Sequence, residues 1–408
     1  MRNGAISSSG RANSGEKGGS ATATPSHYDV IVVGVGGMGS AALYQLARRG
    51  QRVLGLERFD IPHAFGSSHG VNRIIRLAYW EHPAYVPLLR RAFELWRTLE
   101  EEAGERLLVT TGSLDAGPPG DQVFEGSRRS CELHGLPHTI LDGPALRRRF
   151  PGYRLPEDTL AVLQPDGGFL LSERCIVAHV VAAQRAGAEV HAREAVTAWE
   201  PRRDGVWVRT ERGEYTAERM VVTAGSWNAA LLPNLAALAR PERQVLAWFQ
   251  PRRPEIFTPE RFPVFNLRVP EGHFYGFPVY SVPGFKVGRF HHLKEQADPD
   301  HLDREVHPRD EAVLRAFTDR YFPDASGPTM ALTVCMFTNS PDEHFIIDVQ
   351  PEAPQVCFAA GFSGHGYKFC SVVGEILADL ATKGQTRHAI DFLRLQRFRL
   401  AQEPNDTP

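Results

Sequence analysis

The stretch "YDVIVVGVGGMGSAALYQLARRGQRVLGLE", residues 28–57, constrains this chain more than any other. "DVIVVG" is a short β-branched run closed by glycine, the pattern of a buried parallel strand. "MGSAALYQLARRG" reads as a helix with small residues in its first turn and Gly50 as its stop. "RVLGLE" is a second strand, so the whole is one βαβ unit. Gly34, Gly36 and Gly39 stand in GxGxxG spacing, with Glu57 eighteen residues after Gly39. Gly34 permits the tight turn, Gly36 lets the backbone approach a pyrophosphate, and Gly39 lets helix and strand pack closely. The helix N-terminus then offers free N–H groups and a positive dipole end to phosphates. Glu57 can accept hydrogen bonds from a ribose diol. A bare GxGxxG occurs by chance in many loops. With strand, helix and terminal acid in place it reads as a dinucleotide site, not as a plain strand–helix turn.

A chain of 408 residues is too long for one simple core and suggests about two domains. With 42% hydrophobic and 23% charged residues and a net charge of -2, it fits a soluble globular protein. Nothing in that balance favours nucleic acid or an anionic membrane as partner. Cys131, Cys175, Cys335, Cys357 and Cys370 are scattered, odd in number and without CxxC, which argues against a disulfide framework or a zinc site. The Ser/Gly/Ala/Thr-rich residues 1–26 lack a signal peptide's apolar core and read as a disordered tail. No apolar run is long enough to span a membrane, so the expected location is cytoplasmic.

Beyond the βαβ unit, "GSSHGVNRIIRLAYWEHPAYVPLLRRAFELWRTLEEEAG" (66–104) leads from a Gly/Ser loop into a long amphipathic helix starting near Pro83. Residues 105–170 alternate short strands with helices. Residues 187–225 read as strand, hairpin and a buried strand closing on "VVTAG". From 239 to 332 the chain is rich in strands, loops and prolines, suggesting an antiparallel sheet. The last third returns to apolar strands, a glycine turn and a closing helix. The expected fold class is therefore α/β: a Rossmann-type dinucleotide domain with a discontinuous antiparallel-sheet substrate domain. The expected division assigns 27–106, 171–238 and 341–392 to the first and 107–170 and 239–340 to the second.

Several residues invite opposed readings. Arg73 and Arg76, three apart and followed by Tyr79, read alone as surface arginines. "GFSGHGYKF" is not a nucleophile elbow, because GxSxG would need glycine where His365 stands. His344 and His365 lack metal-ligand spacing, so no metal is expected. The glycine turn at Gly364 and Gly366 instead suits close approach to a ring system, with Lys368 just beyond. Lys286 in "FKVGRF" would by default face solvent, as would His291 and His292. Cys335 by position alone is one more buried thiol.

Taken in order, "YDVIVVGVGGMGSAA", "GSSHGVNRIIRLAY", "FYGFP", "CMFTNSPDEHFIID" and "AAGFSGHGYKF" make the chain resemble the monomeric sarcosine oxidase and N-methyltryptophan oxidase family of D-amino-acid-oxidase-like flavoproteins. The match runs from Tyr28 to about Ile390. This resemblance implies FAD as cofactor, with Cys335 as its covalent attachment site. It implies that Arg76 and Lys368 clamp a substrate carboxylate, as arginine's planar fork suits. Lys286 would promote electron transfer to oxygen, Arg73 would lie near the flavin ring, and Tyr275 and His291 would line the substrate cavity. Ser67, Val196, Gly364 and Gly366 would join Gly34, Gly36, Gly39 and Glu57 as cofactor contacts. Two departures stand out: Phe337 replaces the tyrosine usual in sarcosine oxidase, and Arg289 is an extra residue before Phe290-His291.

The expected activity is FAD-dependent oxidation of N-methyl or other secondary α-amino acids, with O2 reduced to hydrogen peroxide by a monomer. The runners-up are a tailoring oxidase for a cyclic imino acid and a flavin dehydrogenase with another electron acceptor. A flavin-bound sensor or scaffold would leave Lys286 and the carboxylate clamp without a task.

Overall fold

The computed structural model describes residues 26–281 and 284–400, the side chains of 399 and 400 excepted. The expected tail lies outside the described residues, save for Ser26, which opens the first strand.

Strand Ser26–Val33 pairs in parallel with Val53–Leu56 on one side and Glu214–Val222 on the other. The helix Gly37–Ala47 crosses between the first two of these and is buried along nearly its whole length. Its small residues make that possible: the N-terminal half packs against helix Cys370–Lys383, where a Cβ on Gly374 would come within 2.5 Å of the Ala41 backbone. Strand Glu214–Val222 then forks. Its first half pairs antiparallel with Gly205–Thr210, while Met220–Val222 pair in parallel with Val356–Phe358. The fork brings the end of Ala353–Ala360 beside the Gly34 turn and completes an eight-stranded sheet.

The second eight-stranded sheet runs Thr329–Asn339, Arg240–Phe249, Phe285–Arg289, Gly272–Phe277, Val264–Val269, Ser113–Gly117, Leu160–Gln164, Thr139–Asp142. It is antiparallel except where Val264–Val269 meets Ser113–Gly117. Successive side chains on a strand face opposite ways, and this sheet uses both faces. Phe249, Phe274, Phe285, Val287 and Val334 point into a core with helix Pro308–Tyr321. Their alternates Leu246, Trp248, Tyr275 and Cys335 cluster on the other face, against Gly70 and Val71 of the Gly/Ser loop. The helix Pro308–Tyr321 lies inside the stretch 239–332, read from sequence as rich in strands and loops. A small third sheet joins Asn72–Ile75, Gly168–Leu171 and Leu108–Thr110. The amphipathic helix begins as a 3₁₀ turn at Pro83–Tyr85 and continues as an α-helix over Val86–Ala103. Among the described residues, no helix is long and apolar enough to cross a membrane.

Candidate active site

A cavity of about 270 Å³ lies at the C-terminal edge of the first sheet, where it meets the second. Gly34, Gly36, Glu57, Ser67, Arg73, Val196, Gly364 and Gly366 all stand on its wall. The glycines do different jobs. Gly34 has φ +87°, and a Cβ there would strike the Thr223 carbonyl; a Cβ on Gly39 would fall 1.7 Å from the Gly34 oxygen. Gly39, off the cavity wall, is thus needed for packing alone. At Gly36 a Cβ would meet nothing within 4 Å, because the space before it is the cavity. No side chain caps the helix that starts there, so its first N–H groups are free for an anion. The buried Glu57 carboxylate accepts from the Val35 and Phe59 N–H groups at 2.8 and 3.0 Å, which fixes its direction at the strand end. An open space before Gly36, an uncapped helix start and an oriented acid fit the pyrophosphate and ribose of a dinucleotide.

Lys286, Cys335, Arg76 and Lys368 are buried and stand off this wall. Lys286 is buried and donates to the carbonyls of Gly70 and Asn72 and to Asn72 Oδ1, at 2.7, 2.7 and 2.8 Å. Burial and the nearby Arg73 press its pKa down. Yet three oxygen acceptors take three N–H hydrogens, and a neutral amine has only two, so the geometry holds the ammonium form. Lys286 does not face solvent.

Cys335 lies beneath the Gly/Ser loop, its Sγ 3.7 Å from Arg73 Nη2 and 3.8 Å from the Ser67 carbonyl. All five cysteines are buried. Burial raises the thiols of Cys131 and Cys357 to about 12 and pushes Cys175 and Cys370 upward as well. Cys335 goes the other way: burial opposes the anion, but His69 and Arg73 outweigh it and bring the thiol to about 7.

Arg76 is buried between two carboxylates. Its Nη2 reaches both oxygens of Glu81 at 2.7 Å, and Nε lies 3.8 Å from Asp115, which Ser127 and Asn266 hold at 2.8 and 2.7 Å. Burial alone would raise Glu81, but Arg76 keeps it below the usual carboxylate range. Lys368 donates to the His365 carbonyl at 2.6 Å, leaving its other hydrogens free. Burial, reinforced by Arg76, lowers it to about 7. His365, lowered to about 4 by burial, is neutral; its Nε2 must donate to the Glu343 carbonyl at 2.8 Å, so Nδ1 accepts from the Tyr79 hydroxyl.

Arg289 is absorbed at the end of its strand, opposite Phe274, and His291 takes a left-handed φ of 52°. In consequence Phe290, not His291, packs among Tyr275, His273 and Phe337, at ring separations of 5.4, 4.6 and 5.6 Å. The His291 imidazole swings outward and bridges Glu242 and Glu343 at 3.0 and 3.1 Å. These two carboxylates raise it to about 9. Phe337 lies against Gly364, where φ is +77° and a Cβ would sit 2.4 Å from the ring. Among the described residues no group of three His, Cys, Asp or Glu could hold a metal ion.

Sequence reasoning passed over Glu81, Asp115, His69, Asn72 and Phe290. Glu81 had a local signal, an acid five residues after Arg76; Asp115 had none, since it arrives on another strand.

The family model for FAD dependent oxidoreductases matches residues 29–380. The chain belongs to this FAD-dependent oxidoreductase family. A monomeric sarcosine oxidase of Bacillus sp. (strain NS-129) is 43% identical over 382 residues, covering 92% of this chain and 98% of that protein. An N-methyl-L-tryptophan oxidase of Yersinia pestis is 35% identical over 376 residues, covering 91% and 100%. This oxidoreductase is therefore of the monomeric sarcosine oxidase and N-methyltryptophan oxidase type. Among solved structures it is similar to NikD, an unusual amino acid oxidase of nikkomycin biosynthesis, with a TM-score of 0.79 and 28% identity over 90% of this chain and 97% of that one.

Proposed function

We propose that this oxidoreductase oxidises N-methyl or other secondary α-amino acids and passes the electrons to O2. The observation that carries the reading is the arrangement of Arg76 and Lys368 around Glu81 beside the cofactor cavity. Buried Arg76 pairs with an internal carboxylate that a substrate carboxylate can replace, and the Lys368 amine lies near enough to feel the Glu81 charge. When bound, FAD supplies a ring able to take two electrons from an amine and yield them to an acceptor. The residues supply position and charge. Arg76 and Lys368 hold the carboxylate and so fix the carbon next to nitrogen, and Tyr275, Phe290 and Phe337 close the apolar side. The substrate carbon gives up its hydrogen with two electrons, and water hydrolyses the resulting imine. For sarcosine the products are formaldehyde, glycine and hydrogen peroxide.

Lys286, held as an ammonium, offers a fixed positive charge where oxygen gains negative charge. Arg73 lies against the same space. Gly34, Gly36, Glu57, Ser67, Val196, Gly364 and Gly366 contact the cofactor, and Cys335 carries it through a thioether. The first sheet with 27–106, 171–238 and 341–392 forms the cofactor domain, and 107–170 with 239–340 the substrate domain, in a protein that acts as a monomer. A peroxide-coupled screen of sarcosine, N-methyltryptophan, proline and pipecolate tests the reading. Peroxide from an N-methyl amino acid is expected; substrate oxidation that reduces a dye but releases no peroxide overturns the oxidase assignment.

A further inference from the structure

Arg76 is tied down by two kinds of partner. Its Nη1 donates to the Ala78 carbonyl at 2.5 Å, its Nη2 meets Glu81 at 2.7 Å, and its guanidinium carbon lies 4.5 Å from the centre of the Tyr79 ring. All three partners belong to its own segment, residues 76–81. Among the described residues, the ion pair that reaches Arg76 from elsewhere in the chain is with Asp115, 3.8 Å from Nε. Asp115 stands in the middle of strand Ser113–Gly117 of the second sheet and is fully buried. Ser127, on the helix Gln122–His134, donates to its Oδ2 at 2.8 Å. Asn266, on the neighbouring strand, donates to its Oδ1 at 2.7 Å and is itself the register partner of Tyr275. Burial pushes the Asp115 carboxyl upward, while Arg76, Asn266 and Ser127 draw it back toward the anion. Glu81 is held differently: among the described residues its carboxylate accepts hydrogen bonds from Arg76 alone.

We infer that Asp115 is a positioning residue for substrate binding: it keeps the Arg76 guanidinium in register with the second sheet while the carboxylate of Glu81 gives way to that of the substrate. The inference rests on the proposed clamp of Arg76 on a substrate carboxylate. Without Asp115 the guanidinium is tied only to its own segment, and each substrate has to order it again. That ordering is subtracted from the affinity. Charge alone argues for the opposite sign, because Asp115 repels an incoming carboxylate and its removal would then tighten binding. The two acids beside Arg76 are thereby assigned opposite effects. Glu81 competes with the substrate, and Asp115 prepares the site for it.

The test uses the flavin-loaded protein and the best substrate of the screen above, with the neutral carboxamide of that substrate as a competing ligand. Asp115→Asn should raise KM for the acid about tenfold and leave kcat within about twofold, the mark of an interaction lost equally from ground and transition states. Inhibition by the carboxamide should not change, since it carries no charge for Arg76 to hold. Ser127→Ala keeps the Asp115 charge and removes one of the two donors that aim it. It should show the same selective loss at about threefold, and it decides the matter if Asp115→Asn does not fold. An unchanged or lower KM overturns the role of Asp115, as does equal weakening of acid and carboxamide, which would mark a merely structural residue. Wild type that binds acid and carboxamide alike, or a screen in which nothing is oxidised, overturns the clamp itself and this inference with it.

Discussion

Both carboxylate oxygens of Glu81 lie 2.7 Å from Nη2 of Arg76, so the guanidinium expected to hold a substrate is already occupied. Neither group can be left alone in the interior, where an unpaired charge costs several kcal/mol. On the proposed clamp, a substrate carboxylate takes over the place of Glu81, and affinity is the difference between two ion pairs.

Removing the competitor should then tighten binding. Glu81→Gln is expected to bind carboxylate inhibitors about tenfold more tightly, roughly 1.4 kcal/mol, while its Tm falls. Arg76→Ala should weaken the same inhibitors about ten- to a hundredfold and lower Tm further, because Glu81 and Asp115 both lose their cation. Titration calorimetry and thermal melts check both; weaker inhibitor binding by Glu81→Gln would contradict the exchange.

Lys368, as a proposed part of the carboxylate clamp, is expected to make binding pH-dependent. Burial lowers it to about 7 in the free protein, and an anion beside it favours the charged form. Binding a carboxylate at pH 8 should therefore take up close to one proton, and affinity should fall as pH rises further. For folding the sign is also defined: the unfolded chain holds this proton more tightly, so this group adds stability as pH rises from about 7 toward the ordinary lysine value. Calorimetry in buffers of different ionisation enthalpy measures the uptake, which should vanish in Lys368→Met. No uptake by wild type would remove Lys368 from the clamp.

The two glycines that look alike in sequence should fail differently. Gly36→Val should fold but lack FAD, since its side chain fills the cavity before the helix start. Gly39→Ala should not fold stably, because its methyl group would overlap the Gly34 carbonyl. Circular dichroism and flavin content separate the outcomes, and a Gly36→Val protein with normal flavin would sink the pyrophosphate assignment.

Lys286 holds the Gly/Ser loop, and its proposed second task at oxygen can be separated from that one by kinetics. Lys286→Met should leave anaerobic reduction by substrate largely intact and slow reoxidation by oxygen by orders of magnitude. It should also lower Tm, since the buried Gly70 and Asn72 carbonyls lose their donor, at about 1–3 kcal/mol for each group. Stopped-flow traces of each half-reaction decide the first point; unchanged reoxidation would leave Lys286 with the loop alone.

The sequence by itself determined the βαβ unit, because Gly34, Gly36, Gly39 and Glu57 act within one short segment whose contacts are local. Period-2 alternation likewise makes it legible that Phe285 and Lys286, or Val334 and Cys335, face opposite sides of a sheet. It could not say which side was the core and which the cavity, and so Lys286 and Cys335 taken alone read as a solvated lysine and an inert thiol. Only the tertiary structure decided that, by packing helix Pro308–Tyr321 on one face and the Gly/Ser loop with Gly70 and Val71 on the other. The extra Arg289 shows the same limit. Inserting one residue leaves two registers open, and side-chain packing selects the one with Phe290 inside and His291 tied to Glu242 and Glu343. The carboxylates around Arg76 and the guanidinium of Arg73 beside Cys335 belong to the same class: local backbone preference is written into neighbouring residues, whereas charge pairing in the interior depends on segments that meet only when the chain has folded.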